Sequence, residues 1–213
     1  MLDFKHVYVP GEDKSAWTVL LLHGTGGDER DLLPLGARVA PGFALLSPRG
    51  KVLENGMPRF FRRLAMGVFD VEDLKFRTQE LAGFVAQAAE QYRFDAKRVL
   101  ALGYSNGANI AAGLMLLRPE VLAGAILLRP MIPLTPEHTP DLTGVRVFAA
   151  AGSHDPIVRP EETERLAGML RKAGAEVEVH WSPGGHELSE EELDKARAWI
   201  APTIRPRAVH GAA

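Results

Sequence analysis

Residues 98–117 read RVLALGYSNGANIAAGLMLL, and this stretch decides the fold. The apolar run from Arg98 to Leu102 has the length of a strand buried on both faces. The run from Ala108 to Leu117 reads as a helix. Its small residues Ala108, Ala111, Ala112 and Gly113 let it lie close to a sheet, and Arg118-Pro119 closes it. Between the two stands the pentapeptide Gly103-Tyr104-Ser105-Asn106-Gly107. A serine between a strand and a helix must sit on a sharp turn with strained dihedrals, and flanking glycines give that turn room. The turn lifts the Ser105 hydroxyl above the sheet edge. It also sets the Asn106 amide at a helix N-terminus, where it can donate to a developing oxyanion. The rival reading is a glycine-rich turn with an incidental serine. Motif and context together favour a nucleophile.

Outward from this point, strands and helices alternate. Strand patterns cover Phe4 to Val9, Trp17 to Leu22, Phe43 to Leu46, Val121 to Leu128, Val145 to Ala151 and Glu176 to Trp181. Helical spacing is found over Glu29 to Val39, Val71 to Tyr92 and Pro160 to Lys172, the last with Pro near its first turn and Gly174 beyond its end. A final helix is expected from Ser189, because Ser189 and Glu192 have the spacing of a capping box. Alternation of apolar strands with helices implies an α/β protein with a mostly parallel sheet covered on both faces. Reactive groups of such sheets sit on loops at the carboxyl ends of the strands. Residues 1–202 read as a single domain and residues 203–213, which lose all periodicity, as a loose tail.

The other loops at those ends supply the partners that a serine needs. The strand ending at Leu22 runs into His23-Gly24-Thr25-Gly26-Gly27-Asp28-Glu29. Such a loop exposes backbone amides, and the Thr25 amide is the candidate second oxyanion donor. A Walker loop is excluded because no Lys follows Gly27. His23 reads as a loop-shaping residue. Among the seven histidines, His186 in Ser182-Pro183-Gly184-Gly185-His186-Glu187 lies after the last strand and before the last helix. That is the place of the base when the order is serine, acid, histidine. The acid belongs after the preceding strand, which ends in Gly152-Ser153-His154-Asp155-Pro156. Asp155 is therefore the candidate orienter of His186, with Glu137 and Asp141 as weaker rivals.

Composition sets the outer limits. The chain has 213 residues, 46% hydrophobic and 24% charged, with a formal net charge of −2. A general basic field for nucleic acid is therefore missing. Cysteine is absent, so disulfides, thiolate metal sites and a cysteine nucleophile are excluded together. The start does not read as a secretory signal and no run has membrane-spanning length, so a cytoplasmic protein without membrane insertion is expected.

These motifs, in this order and spacing, resemble the phospholipase/carboxylesterase family of α/β-hydrolases, which includes small bacterial carboxylesterases and acyl-protein thioesterases. The resemblance implies an α/β-hydrolase fold with a sheet of about seven strands and no large cap. It implies the triad Ser105, Asp155 and His186, the oxyanion-hole positions Thr25 and Asn106, and no metal or cofactor. Asn106 stands where the thioesterases proper commonly have Gln, so hydrolysis of small carboxylic esters is the expected activity. Lysophospholipase and thioesterase activities on the same triad are the alternatives, and a non-catalytic binding protein on this fold is a remoter one. The expected partner is a small-molecule ester, and the resemblance allows a homodimer. The segment Arg49 to Asp70 is the longest irregular stretch. Its Met57, Phe60, Phe61, Met66 and Phe69 are candidates for a pocket wall, with Met131 of the Met131–Leu134 stretch opposite. The same segment carries Arg49, Lys51, Arg59, Arg62 and Arg63 against Glu54, which suggests attraction of an anionic substrate, a solvated edge or a subunit contact.

Overall fold

The computed structural model describes residues 2–12, 17–65 and 67–203. The tail expected over 203–213 lies outside them apart from Thr203, and so does Met66. In chain order the elements are β1 (His6–Val9), β2 (Thr18–Leu22), α1 (Leu33–Val39), β3 (Ala44–Pro48), β4 (Val52–Glu54), β5 (Met57–Arg59), β6 (Arg63–Ala65) and β7 (Val68–Phe69). Then follow α2 (Val71–Tyr92), β8 (Val99–Tyr104), α3 (Asn106–Leu117), β9 (Gly124–Leu128), β10 (Arg146–Gly152), α4 (Pro160–Lys172), β11 (Glu176–Ser182) and α5 (Glu190–Thr203).

The buried strands explain their own apolar runs. Along β2, Leu20 and Leu22 face one core while Val19 and Leu21 face the other. On β10, Val147 and Ala149 take the first side and Phe148 and Ala150 the second. A strand buried on both faces needs apolar residues at every position, which erases the period-two signal. The first core is closed by α2, α3 and α4, the second by α1 and α5. The seven strands run in the order β1-β3-β2-β8-β9-β10-β11, and only β1 is antiparallel to its neighbour.

This order places the site. From β2 the chain winds outward to β3 on one side and then returns to β8 on the other, so the direction of winding reverses between β2 and β8. Loops at such a switch point diverge and leave a crevice beyond the strand ends. Leu22 pairs with Gly103, which brings the loops after β2 and β8 side by side. At the other edge, Gly152 pairs with Ser182, which brings together the loops after β10 and β11.

Three boundaries differ from the sequence reading. The helix expected from Glu29 begins only at Leu33, with Pro34 in its first turn, because Asp28 and Glu29 are turned toward Arg49. The strand expected from Val121 begins at Gly124, after a turn closed by Val121 N–H on Arg118 O. The stretch Arg49 to Asp70 is two small antiparallel ribbons, β4–β5 and β6–β7. Asn55 and Gly56, both at positive φ (51° and 80°), make the first ribbon's two-residue turn, a hairpin signal that the sequence carries openly.

Candidate active site

Ser105 occupies the turn between β8 and α3 at φ 51°, ψ −111°, a conformation that L-residues rarely adopt. The flanking glycines are required sterically. A Cβ on Gly103 would lie 2.5 Å from Gly107 O, and one on Gly107 would lie 1.9 Å from Leu22 O. The turn is held from outside by Ser105 N–H donating to Leu128 O at 2.8 Å.

His186 reaches the serine from the loop between β11 and α5. Its Nε2 is 3.0 Å from Ser105 Oγ and its Nδ1 is 2.7 Å from Asp155 Oδ2. The second oxygen of Asp155 is occupied, because Oδ1 accepts from Ile157 N–H at 2.7 Å and Val158 N–H at 3.0 Å. Asp155 is thus fixed in rotation, with Oδ2 left for the imidazole. A hydrogen-bonded chain of this geometry can let a serine hydroxyl give up its proton while a carboxylate stabilises the imidazolium. Of the rivals, Asp141 Oδ1 accepts from Thr143 N–H, and Glu137 lines a separate cavity beside α2.

Thr25 and Asn106 both line the cavity in front of Ser105. Asn106 is the first residue of α3, whose opening amides have no partner within the helix. Its side-chain Oδ1 accepts from Phe60 N–H at 2.8 Å and so ties the helix start to the first ribbon. The Thr25 loop is tied to the same ribbon. Gly26 N–H donates to Pro58 O at 2.9 Å, and Arg59 Nη1 donates to Thr25 Oγ1 at 2.8 Å. His23 is buried, its Nε2 accepts from Gly50 N–H at 2.9 Å, and burial holds its pKa below the usual histidine value. With Nε2 accepting, the proton sits on Nδ1 and donates to Gly24 O at 2.7 Å. A neutral, fully bonded imidazole shapes the loop, as the sequence reading has it.

The cavity has a volume of about 310 Å³. Of the wall candidates Met57, Phe60, Phe61, Phe69 and Met131, only Met131 lines it. Phe60 and Phe61 are instead buried in the core, Phe60 against the His23 ring at 4.7 Å and Phe61 against Phe69 at 5.0 Å. Their backbone belongs to an irregular segment, but their apolar rings gain more by turning inward than by facing an open cleft. Met57 is 41% exposed, lies over Gly26, and does not line the cavity either. Arg59, Arg63, Tyr104 and Ile157 take the places expected of these residues.

Sequence reasoning missed Arg129. It follows β9 at φ 57°, its side chain is wholly buried, and it reaches across to the histidine loop. Nε donates to Gly185 O at 2.8 Å and Nη2 to Glu187 O at 2.5 Å, so the guanidinium grips the backbone on both sides of His186. Nη1 and Nη2 also clamp Glu192 at 2.5 and 3.0 Å, and Nε lies 3.9 Å from Asp155 Oδ2. Burial works to raise the Glu192 pKa, yet Arg129 and Ser189 hold it below the usual value. The expected capping box is present and does double duty, since Glu192 accepts from Ser189 N–H at 2.8 Å. Tyr104 adds a further support, its hydroxyl donating to His186 O at 3.0 Å. His154 is exposed and follows the same loop, its Nδ1 2.9 Å from Pro183 O.

A seven-stranded, mostly parallel sheet with a serine raised between a central strand and its helix, and with acid and histidine on later loops, defines an α/β-hydrolase. Comparison with known proteins narrows the class. The family model for phospholipase/carboxylesterase matches residues 5–204, and the chain belongs to that family of hydrolases. It is 50% identical over 200 residues to MhqD of Bacillus subtilis (strain 168), covering 94% of this chain and 99% of the relative. The crystal structure of the Bacillus cereus carboxylesterase is 50% identical, covers 95% of each chain and superposes with a TM-score of 0.93. The structure of YahD with malic acid is 33% identical, covers 94% of this chain and 99% of that one, and has a TM-score of 0.89.

Proposed function

We propose that this chain is a serine carboxylesterase that hydrolyses small carboxylic esters through an acyl-enzyme. The observation that carries the reading is the continuous chain from Asp155 through His186 to a strained, cavity-facing Ser105. The full-length likeness to the Bacillus cereus carboxylesterase supports ester chemistry.

In this mechanism Ser105 Oγ adds to the ester carbonyl carbon while His186 Nε2 takes its proton. The amides of Thr25 and Asn106 hold the oxyanion, each donor worth about 3 kcal/mol in the transition state. The carbon–oxygen bond to the alcohol then breaks, and His186 returns the proton to the leaving oxygen. Water enters, gives its proton to His186 and attacks the acyl carbon. The bond to Ser105 breaks, Ser105 regains the proton, and the carboxylic acid leaves. Asp155 keeps His186 in the tautomer that accepts at Nε2 throughout.

The test is a panel of acetate to octanoate esters, matched thioesters and lysophospholipids, run with wild type and Ser105→Ala. Short esters should give the highest kcat/KM, and the variant should lose about 10⁴-fold or more in kcat. Full activity in Ser105→Ala contradicts the reading. A preference for lysophospholipids or thioesters keeps the triad and replaces the substrate.

A further inference from the structure

The cavity in front of Ser105 is charged. Its described lining includes two guanidiniums, Arg59 and Arg63, and no carboxylate. Arg59 ends β5 with its side chain only 3% exposed, fixed by Thr25 Oγ1 at 2.8 Å and Phe61 O at 3.2 Å. Arg63 opens β6. Glu54, behind the wall, is shared between them, 3.2 Å from Arg59 Nε and 2.7 Å from Arg63 Nη2.

The remaining cations of the segment are turned away from the cavity. Arg49 pairs with Asp28 and Glu29, Lys51 with Asp3 and Glu80, and Arg62 with Asp70. Most of these acids come from outside the segment, and none of them is among the described residues that line the cavity. Burial and the neighbouring Arg63 hold the Arg59 pKa below the ordinary guanidinium value, with Glu54 opposing. A guanidinium presents a planar fork that suits a carboxylate, and a fork in a partly dry wall holds it far better than one in water. A volume of about 310 Å³ is near the lower end for ligand pockets, which limits the occupant to a small molecule.

We propose that Arg59 and Arg63 form a carboxylate subsite, and that the esters taken at Ser105 are small and carry a free carboxylate, as in short half-esters of dicarboxylic acids or esters of hydroxy acids. The proposal rests on the esterase reading and adds the substrate class to it. Arg59 holds the Thr25 loop as well as facing the cavity, so the subsite and the proposed oxyanion loop share one side chain. Arg63 lines the cavity beside it, and it is the residue to vary.

Two matched pairs of esters test this with the full chain. Mono-4-nitrophenyl glutarate against 4-nitrophenyl valerate places the charge on the acyl side. Acetoxybenzoate against acetoxybenzamide places it on the leaving group. After subtraction of spontaneous hydrolysis, the anionic member of at least one pair should have the higher kcat/KM, by about 10-fold or more. Arg63→Gln should collapse that ratio, Arg63→Lys should restore part of it, and Glu54→Gln, which removes the shared carboxylate at constant shape, should raise it. A preference for the neutral member in both pairs overturns the proposal, as does a ratio that Arg63→Gln leaves unchanged or that Glu54→Gln lowers. Binding of glutarate to Ser105→Ala, measured by calorimetry, separates the two readings. Saturable binding that is lost in Arg63→Gln, with no ester turned over by wild type, upholds the subsite and contradicts the esterase. Turnover of neutral esters without any anionic preference contradicts the subsite alone.

Discussion

Asp155 shows how much a single side chain is asked to specify. Its Oδ1 is committed to two backbone amides, so an asparagine there must keep its oxygen on that side and turn its NH₂ toward His186. The imidazole would then have to accept at Nδ1 and carry its proton on Nε2, where it cannot take one from Ser105. Asp155→Asn should therefore lower kcat by about 10⁴-fold with the fold intact, read by steady-state kinetics beside circular dichroism. Arg129 is the counterpart that no local signal announced. A lone arginine after an apolar strand has meaning only through Gly185, Glu187 and Glu192, which lie 56 to 63 residues further on. Arg129→Met would leave Glu192 buried without its cation and free the backbone on both sides of His186. It should cost about 3–5 kcal/mol in urea unfolding, and the soluble remainder should show a fall in kcat/KM. Phe60 and Phe61 were misread for a similar reason. Whether an apolar residue in an irregular segment faces the core or a cleft is decided by distant partners.

At the scale of elements, β8, the turn at Ser105 and α3 were legible because their requirements are local and steric. A strand buried on both faces, two glycines and a helix of small residues leave one geometry for the serine. Gly107→Ala puts a methyl carbon 1.9 Å from the Leu22 carbonyl in the next strand, which only a shift of β2 or α3 could relieve. That variant should fail to give soluble folded protein, whereas Gly83→Ala on α2, where a Cβ meets nothing within 4 Å, should be tolerated. Thermal melts of the two purified proteins, or failure to obtain the first, check this. The ribbons β4–β5 and β6–β7 were less legible. Each strand is two or three residues long, too short for a period to show, and the Asn55-Gly56 turn was their one strong mark. Those ribbons nonetheless hold the Thr25 loop and carry both cavity arginines.

Over the whole molecule, strand order does what no single element can. The reversal of winding between β2 and β8 sets Thr25 beside Ser105, and the parallel pairing of β10 with β11 sets Asp155 beside His186. The alternation of strands and helices made the sheet legible, while the order of its strands became visible only in three dimensions. Ion pairs fasten the periphery to this frame, and one of them reports on acid. Glu29 is buried, which alone would raise its pKa, yet Arg49 at 2.5 Å and Lys5 at 3.4 Å bring it down to about 2. A carboxylate depressed in the folded state stabilises above its unfolded pKa and loses that contribution as pH falls through the folded one. The contribution of Glu29 should therefore fade between about pH 4.5 and pH 2. Melting temperatures over that range should fall less steeply for Glu29→Gln than for wild type. The central claim, that Ser105 becomes acylated, is tested most directly by treating the full chain with a fluorophosphonate probe and mapping the modified peptide by mass spectrometry. The account predicts one equivalent of label on Ser105, none in Ser105→Ala, and strongly slowed labelling in Asp155→Asn; label on another residue, or undiminished labelling of Ser105→Ala, would contradict it.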